Sequence, residues 1–293
     1  MPSPLVSVIV PAYNSSMYIK ETLVSVLNQT FADFELIVID DGSTDGQREV
    51  ILQACQDDPR LRYVYKPNAG VSGARNTGFN FSVGSYVAFL DADDVWLPNN
   101  LEIKLSKFQS GDYGLVHSDG LLINEDTAPL PGRMTGREGQ LLTDMLKWKA
   151  TQVPGPSSIL VKREVLQTIG LFDTHLSTSA DHDFFLRVAS KYPIGRVAEI
   201  TWMYRMHPAN MHRNISVMER DVLFVYRKAS ANKLFTGNWM ERKCYANMYL
   251  ILAASWAGDG NNKWRGVYFT LRALGRHPNA ILNITKRFWK RWF

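Results

Sequence analysis

Four apolar segments in the first 90 residues, each separated from the next by a helix-like stretch, constrain the fold more than any other feature. The first, Leu5–Val10, is a continuous apolar run between two prolines, as expected for a strand that is covered on both faces. Strand and helix segments alternate at intervals of about 20 to 30 residues, which favours crossover units. The pattern predicts a doubly wound, mostly parallel α/β sheet. The predicted strands are 5–10, 36–39, 62–66 and 86–90, and the helices between them are 19–27, 46–56 and 73–82.

The pattern changes twice further along the chain. Beyond about residue 110 the predicted strands and helices are shorter, and from 216 onward the apolar residues recur at the three-to-four spacing of helices. We predict one α/β domain over 1–215, with halves at about 1–110 and 111–215, and a C-terminal helical extension over 216–293. The shorter predicted strands are 115–118, 120–124, 157–161 and 194–204, and the helices are 138–148, 163–169, 182–191, 217–233, 239–256 and 264–276.

Composition indicates a globular protein. Of 293 residues, 45% are hydrophobic and 21% are charged, which excludes a disordered chain. No apolar run approaches the ~20 residues that span a bilayer, and the N-terminal residues show no signal peptide. Cys55 and Cys244 are far apart and form no metal or redox motif, as is typical of a reducing compartment. We therefore expect a cytoplasmic protein, with no nucleic-acid partner.

The last eight residues, 286–293, hold four cations and four aromatic residues and no acid. Such a segment could lie on an anionic membrane surface, with Trp289, Trp292 and Phe293 at the interface. This interpretation would place the chain peripherally at the inner face of the plasma membrane. The alternative is that the aromatic residues pack on the body of the protein or on another subunit, in which case the C-terminal helices would support an oligomer.

A cluster of acids directly follows the fourth predicted strand. Asp91, Asp93 and Asp94 come together at the end of a buried strand, where like charges repel and lose hydration unless a cation lies among them. Oxygen ligands favour Mg²⁺ or Mn²⁺, ions that keep coordination positions for substrate phosphates. The alternative is a solvated acidic turn ahead of the helix that begins near Pro98.

The other strand ends carry side chains suited to a nucleotide. Pro11, Ala12 and Tyr13 offer a rigid turn and an aromatic face for a base, and Asp41 could accept a hydrogen bond from the imide of uracil. Arg75, close to a predicted helix start, could meet a phosphate. Each has a structural alternative. Tyr13 could serve packing, Asp41 could be a turn residue, and Arg75 could form a surface ion pair. The glycine patterns of dinucleotide-binding and P-loop proteins are missing from the sequence.

Five segments of the first 100 residues resemble the family 2 glycosyltransferases of GT-A fold, both in their residues and in their order along the chain. The resemblance implies an inverting transferase that takes a sugar from a nucleoside diphosphate donor. It also implies that Asp41 binds the base, that Asp91 lies near the donor ribose or sugar beside Ala92, and that Asp93 ligates the metal. The segments are Val6–Asn14, Ser25–Thr30, Ile39–Asp45, Gly70–Asn76 and Phe89–Asp94.

On the acceptor side, residues 179–187 resemble the acidic motif of the family, and the match makes Asp181 the catalytic base. An inverting transfer needs a group that removes the proton of the acceptor hydroxyl as its oxygen attacks. The sequence departs from the commoner pattern, because Ala180 stands where a Glu or Gln often precedes the Asp. Two alternatives stay open. Asp183 is a rival base, and Asp181 could serve only as a helix cap.

Two further residues each have a functional and a structural interpretation. His207 follows the acidic motif in a segment that resembles relatives in which a histidine approaches the metal or diphosphate, and its alternative is a structural hydrogen bond. Trp202 could stack on a sugar face on the acceptor side or lie in the core.

The leading hypothesis is a metal-dependent transferase that moves a sugar to a glycan or lipid-linked glycan. A UDP-sugar is favoured, although the family also uses GDP- and dTDP-sugars. A nucleotidyltransferase should carry a basic, glycine-rich loop after its first strand, but residues 11–16 contain neither Gly nor Lys. A non-catalytic nucleotide-sugar-binding or scaffold protein is the other alternative, and the presence of Asp41, Asp91, Asp93 and Asp181 argues against it.

Overall fold

In the computed structural model, residues 3–55, 58–148, 150–208 and 214–280 are described, and their strands join in one sheet. Helices alternate with the strands and form most of the described region after residue 214. The strands are β1 Val6–Ala12, β2 Phe34–Asp40, β3 Leu61–Tyr65, β4 Tyr86–Phe89, β5 Val95–Trp96, β6 Leu115–Ile123, β7 Pro129–Met134, β8 Ile159–Lys162 and β9 Ile194–Arg205. The helices are α1 Ile19–Leu27, α2 Gln47–Cys55, α3 Gly70–Phe81, α4 Asn100–Gln109, α5 Leu142–Leu146, α6 Arg163–Ile169, α7 Ala180–Ala189, α8 Ile215–Ala231, α9 Asn238–Ala257 and α10 Lys263–Arg276.

The first half of the sheet is parallel, as predicted. The strand order is β3-β2-β1-β4-β8-β6-β9-β5, and β1 pairs in parallel with both β2 and β4. All seven residues of β1 are buried, which agrees with a sequence that is apolar except for Ser7. The carboxyl ends of β1, β2 and β4 therefore meet at one edge, and the loops that follow them share a cleft. The predicted α/β class and the C-terminal helices are confirmed.

The second half of the sheet is mixed, and here the sequence predictions were less accurate. β8 is antiparallel to β4 and β6, whereas β6 and β9 are parallel. Residues 115–118 and 120–124, predicted as two strands, form the single strand β6, in which register shifts near Asp119 accommodate the polar interruption. The helix predicted at 138–148 is wrong in length, because Gly139 pairs with Ile194 and keeps the chain extended until α5 begins.

Helix α3 packs unusually closely on the centre of the sheet. A Cβ atom added at Gly78 would lie 2.3 Å from Ile9 Cγ2 and 3.3 Å from Ile39 Cγ1. The glycine therefore lets the helix approach β1 and β2. This approach fixes the position of Arg75, one turn earlier in α3, beside the end of β4.

The described residues divide into two compact units. The first contains 3–55, 58–141 and 151–208, and the second contains 142–148, 150 and 214–280. The sequence placed a boundary at 215/216. In the second unit, α9 and α10 pack together, and a Cβ atom added at Gly266 would lie 3.0 Å from the Ala253 carbonyl oxygen. Within the described ranges, no helix is both long enough and apolar enough to cross a membrane.

Candidate active site

The three acids after β4 have different surroundings. Asp94 is 1% exposed and accepts hydrogen bonds from Ser157 Oγ at 2.5 Å and from the Arg205 backbone N–H at 3.0 Å. Burial, with the charges of Asp93 and Asp91, raises the pKa of Asp94 well above its ordinary value. Asp94 therefore holds the loop to its neighbours and does not face the cleft.

Asp91 forms an ion pair with Arg75. Arg75 Nη2 lies 2.5 Å from Asp91 Oδ1, and the Asp91 backbone N–H donates to Ser157 Oγ at 3.1 Å. Arg75 is 4% exposed, and its guanidinium carbon lies 5.1 Å from the centre of the Phe172 ring. The ion pair therefore lies at the edge of the cleft with a buried arginine. The alternative of a surface ion pair does not describe Arg75.

Asp93 and His207 come together, although 114 residues separate them. His207 Nε2 lies 2.8 Å from Asp93 Oδ2, and the ring of Tyr18 lies 5.1 Å from the His207 ring. Burial and the charge of Asp91 raise the pKa of Asp93, while the contact with His207 acts against this rise. The sequence prediction that these two residues share a site agrees with this geometry.

Arg205, which sequence reasoning missed, locks the acidic loop in place. Its side chain is fully buried and donates through Nε to the Asp93 carbonyl oxygen at 2.8 Å. Its other nitrogens bond Glu21 Oε2 at 2.5 Å and acceptors in the β6–β7 turn, including the Glu125 carbonyl at 2.8 Å. These partners come from three separate segments, namely the acidic loop, α1 and the β6–β7 turn, so no local pattern indicates the role. The one signal in the sequence for a role of Arg205 near the site was its position two residues before the candidate ligand His207.

Carboxylate and imidazole are suitable ligands for a divalent ion at this position. Among the residues that the structure describes, no group of three or more His, Cys, Asp or Glu side chains is arranged as a complete metal site. Asp93 and His207 nevertheless supply adjacent oxygen and nitrogen donors, and the nearby charge of Asp91 would favour a cation there. Two protein ligands leave coordination positions that substrate oxygens would fill.

The loops after β1 and β2 are joined by hydrogen bonds. The Asn14 backbone N–H donates to Ser43 Oγ at 3.0 Å, and the Thr44 backbone N–H donates to Asn14 Oδ1 at 2.9 Å. Next to them, Tyr13 is 55% exposed, so its ring is accessible to a planar ligand and is not held by core packing. Pro11 and Ala12 are buried at the end of β1 and fix the direction in which Tyr13 leaves the sheet.

Asp41 joins two of the loops around the cleft. It is 2% exposed, pairs with Lys66, and accepts from the Ala69 backbone N–H at 3.0 Å, immediately before α3. Its own backbone N–H donates to the Ala12 carbonyl oxygen at 2.8 Å. The carboxylate therefore lies where the sequence placed it, and Lys66 is a partner that sequence reasoning missed.

Asp181 lies in the first turn of α7, on the acceptor side. Ser179 occupies the N-cap position, and Asp181 Oδ1 accepts from the His182 backbone N–H at 2.7 Å. Burial raises the pKa of Asp181, an effect increased by the charge of Asp91 and opposed by Arg75. The hydrogen bonds of α3 with residues 172 and 176 place the chain that leads into α7 beside the helix that carries Arg75.

Asp183, the rival base, has a structural role. It is 3% exposed and accepts a hydrogen bond from Arg187 Nε at 2.9 Å. Arg187 in turn donates to the carbonyl oxygens of Ile169 and Gly170, each at 2.8 Å. The Asp183–Arg187 pair thus ties α7 to the end of α6.

Two contacts connect α3 with the chain that leads to α7. Asn76 Nδ2 donates to the Phe172 carbonyl at 2.8 Å, and the Phe172 backbone N–H donates to Asn76 Oδ1 at 3.0 Å. Ser72 Oγ donates to the Leu176 carbonyl at 3.2 Å. These contacts explain how the helix that holds Arg75 also positions the start of α7.

The β9 aromatic residues differ in exposure. Trp202 is 1% exposed and donates through Nε1 to the Ser118 carbonyl at 3.2 Å, so it belongs to the core and has no face open to a sugar. Tyr204, which sequence reasoning missed, is half-buried, and its ring lies 6.3 Å from the ring of Trp202. Burial, together with Asp94, Asp93, Asp91 and Asp181, raises its pKa.

Comparison with solved structures shows the fold. A structure of TarS from S. aureus in complex with UDP-GlcNAc superposes with a TM-score of 0.67 at 19% identity, covering 94% of this chain and 81% of that one. The mannosyltransferase PcManGT from Pyrobaculum calidifontis, in complex with GDP-Man and Mn²⁺, gives a TM-score of 0.65 at 20% identity, covering 98% and 80%. Both are GT-A proteins, and the chain shares their architecture.

Sequence comparison shows the family. The chain is 31% identical over 238 residues to a Bacillus subtilis protein named as a teichuronic acid biosynthesis glycosyltransferase, TuaG, covering 80% of this chain and 92% of that protein. It is 33% identical to an uncharacterized glycosyltransferase of Nostoc sp., over 71% of this chain and 66% of the relative. It also aligns with an uncharacterized glycosyltransferase of Rickettsia felis, a longer protein of which the aligned part covers 31%. The sequence profile of glycosyl transferase family 2 matches residues 7–170, more than half of the 293. The chain belongs to glycosyl transferase family 2.

Proposed function

We propose that the chain transfers a sugar from a nucleoside diphosphate sugar to a hydroxyl group of a glycan or lipid-linked glycan, with inversion at the anomeric carbon. The observation that supports this most strongly is the acidic loop after β4, in which Asp91 pairs with Arg75 and Asp93 contacts His207. Family membership supports the reaction class. We assign this chemistry to the first unit, which contains all of these residues.

In the proposed reaction, Asp181 is the base. Its carboxylate accepts the proton of the acceptor hydroxyl while the acceptor oxygen forms a bond to the anomeric carbon. The bond from that carbon to the diphosphate oxygen breaks, and the nucleoside diphosphate leaves with the electron pair. Burial raises the pKa of Asp181, which makes its carboxylate a stronger proton acceptor than an exposed one.

Asp93 and His207 would hold a Mn²⁺ or Mg²⁺ ion, with oxygens of the donor diphosphate as further ligands. When bound, the ion would neutralise charge on the leaving diphosphate. Arg205 keeps Asp93 in position through its carbonyl oxygen, and Ser157 holds the neighbouring acids. The Mn²⁺ present with the Pyrobaculum neighbour supports a metal role for this fold.

For the donor we propose a UDP-sugar, bound by Tyr13 and Asp41. The exposed ring of Tyr13 is suited to stacking on a base, and Asp41 lies at the end of the adjacent strand. Because Lys66 and the Ala69 N–H already contact Asp41, its carboxylate is held in a fixed orientation in which it could accept the base imide. TarS was solved with UDP-GlcNAc and the Pyrobaculum protein with GDP-Man, so this fold accommodates either base.

The acceptor is proposed to be a growing polysaccharide. The name of the Bacillus relative refers to teichuronic acid, and another relative, from Escherichia coli, is named chondroitin synthase. Peripheral membrane binding through 286–293 stays a prediction, since that segment lies outside the described residues, and so do a cytoplasmic location and an oligomer formed through the C-terminal helices.

A donor-panel assay tests the proposal. The full chain is incubated with UDP-, GDP- and dTDP-sugars in Mn²⁺ or Mg²⁺, and release of the nucleoside diphosphate is measured with and without oligosaccharide acceptors. We expect release with one UDP-sugar that depends on the metal and is accelerated by an acceptor. Absence of release with every donor, combined with retained nucleotide binding, would favour a non-catalytic binding protein. Release of pyrophosphate from a nucleoside triphosphate would favour a nucleotidyltransferase.

A further inference from the structure

The outward face of α10 is apolar and exposed. Trp264 is 84% exposed, Val267 48%, Tyr268 47% and Leu271 63%. Their spacing of three, four and seven residues places these side chains on one side of the helix. Large apolar side chains scattered singly over a surface are ordinary, whereas four in a continuous row mark an interaction surface. We call these four residues the α10 face.

Packing inside the second unit does not require this face. The opposite side of α10, with Gly266, Phe269 and Ala273, is buried against α9. Phe269 stacks on Tyr249 with ring centres 5.9 Å apart, and Gly266 makes the close approach to α9 noted above. The helix therefore buries one side fully while it presents a second apolar side to solvent.

The charges that α10 itself carries are all positive. Residues 260–280 contain four Lys or Arg residues and no Asp or Glu. Arg265 pairs with Glu219 of α8, whereas Arg272 donates only to hydroxyls in the contacts given for it, those of Tyr268 at 2.7 Å and Tyr249 at 2.9 Å. Arg272 therefore keeps its full charge next to the exposed rings. The four cations are Lys263, Arg265, Arg272 and Arg276.

We propose that the α10 face binds the surface of an anionic phospholipid bilayer, with Trp264 and Tyr268 at the headgroup level and the surrounding cations near lipid phosphates. A helix with an apolar face, a basic surround and little net hydrophobicity is the type that lies in the interface plane. A second copy of the chain fits less well. A symmetric dimer through this face would bring two sets of cations together without any acid from 260–280 to neutralise them. The inference is independent of the sugar-transfer chemistry.

Vesicle co-sedimentation of the full-length chain tests the inference. The variant is the double substitution Trp264→Glu and Leu271→Glu, and the matched control is Leu52→Glu with Tyr65→Glu, two apolar residues of the first unit that are 49% and 62% exposed. Residues 281–293 are present in every protein, so any contribution from them is the same throughout. We expect the partition coefficient on phosphatidylglycerol-containing vesicles to fall about tenfold or more in the α10 variant and to be unchanged in the control. Wild-type binding should weaken with salt and on neutral phosphatidylcholine vesicles.

Equal partitioning of wild type and the α10 variant would overturn the proposal. So would a wild-type dimer in light scattering that the α10 variant converts to a monomer without any effect on vesicle binding. A Trp264→Phe variant covers the case in which the double substitution disturbs folding. It keeps the apolar face, so it should still bind, but it should lose part of the blue shift in tryptophan emission that anionic vesicles cause. An unchanged blue shift would count against insertion of this helix.

Discussion

At the scale of single residues, the two acids at the start of α7 are expected to behave oppositely when each is changed to its amide. Asp181→Asn should lower sugar transfer by about 10²- to 10⁴-fold, the usual effect of losing a general base, and should leave donor binding nearly unchanged. Stability should also change little, because the Ser179 N-cap position is not altered. Steady-state kinetics together with calorimetric titration of the nucleotide measure both effects.

Asp183→Asn serves as the comparison. It removes the buried charge partner of Arg187, so the protein should be destabilised by about 3 kcal/mol or more while the remaining folded enzyme stays active. Transfer at the wild-type rate in Asp181→Asn, with loss of transfer in folded Asp183→Asn, would reverse the two assignments.

A buried histidine in β6 predicts how stability depends on pH. His117 is fully buried, its Nε2 N–H donates to the Arg137 carbonyl at 2.8 Å, and Nδ1 has no hydrogen-bond partner among the described residues. Burial lowers the pKa of His117 to about 4, against an ordinary value near 6.5; Asp119 opposes the shift and Lys104 adds to it. The unfolded chain binds the proton first, so stability is fully present above pH ~6.5 and decreases as the pH falls towards 4.

Denaturant unfolding between pH 7 and 4 measures this dependence. The contribution of His117 is about 3 kcal/mol over that range. His117→Gln keeps an N–H near Arg137 but cannot titrate, so its stability should depend less steeply on pH than that of the wild type. Burial also lowers the pKa of His182 to about 4, so the variant should retain part of the slope. Identical slopes in the two proteins would show that His117 does not titrate in this range.

Which site residues the sequence could reveal depended on how local their contacts are. The acids of 91–94 directly follow a predicted strand, and Asp181 stands in a motif that resembles the family's, so their positions at a strand end and at a helix start could be predicted. Their roles in the reaction stay predictions. Arg205, Ser157 and Lys66 act through partners that lie 25 to 184 residues away. Their roles arise only when the sheet brings those segments together. Trp202 shows the same limit, because an aromatic residue at a strand end could face either the cleft or the core.

At the scale of secondary structure, the closeness of α3 to β1 predicts the effect of one added methyl group. Gly78→Ala should destabilise the protein by about 1–3 kcal/mol, since its Cβ would overlap the Ile9 side chain. The shift of α3 should also move Arg75 away from Asp91 and reduce transfer. Gly275→Ala in α10 is the control. Nothing lies within 4 Å of its added Cβ, so it should be neutral or stabilise by up to ~1 kcal/mol. Chemical denaturation of both variants gives the comparison, and equal stabilities would contradict the close packing.

The elements that the sequence predicted well are those with a continuous periodic signal. β1, β2 and β4 are buried on both faces, and their apolar runs coincide with the observed strands. β7 was missed because none of its six residues is buried, so no alternation of apolar and polar residues marks it, and because it contains Pro129 and Gly132. β5 has two residues, too few for any period to be visible. Such short strands form because the neighbouring strand is present, and not because of their own sequence.

At the scale of the whole molecule, the order of strands could be foreseen for the parallel half and not for the mixed half. Crossover connections join the parallel strands β1, β2, β3 and β4, and this arrangement follows from the alternation of elements along the chain. In contrast, β8 inserts between β4 and β6 although about 70 residues separate it from β4 along the sequence. The insertion brings Ser157, just before β8, to the acids that follow β4. The candidate site is therefore a product of long-range topology.

The last prediction concerns binding of UDP and metal to the whole chain. A ligand that binds only the folded state stabilises it by about 2.7 kcal/mol at a concentration one hundred times its Kd. Because Asp93 and His207 lie together beside the expected diphosphate position, UDP should raise the melting temperature more in Mn²⁺ than in chelator. Asp93→Asn should abolish this difference between the two conditions. Asp112→Asn, a change at a side chain that is 98% exposed and paired only with Lys162 in the given contacts, should retain it. Equal thermal shifts of the wild type with and without Mn²⁺ would exclude Asp93 from metal binding and would leave its contact with His207 a structural one.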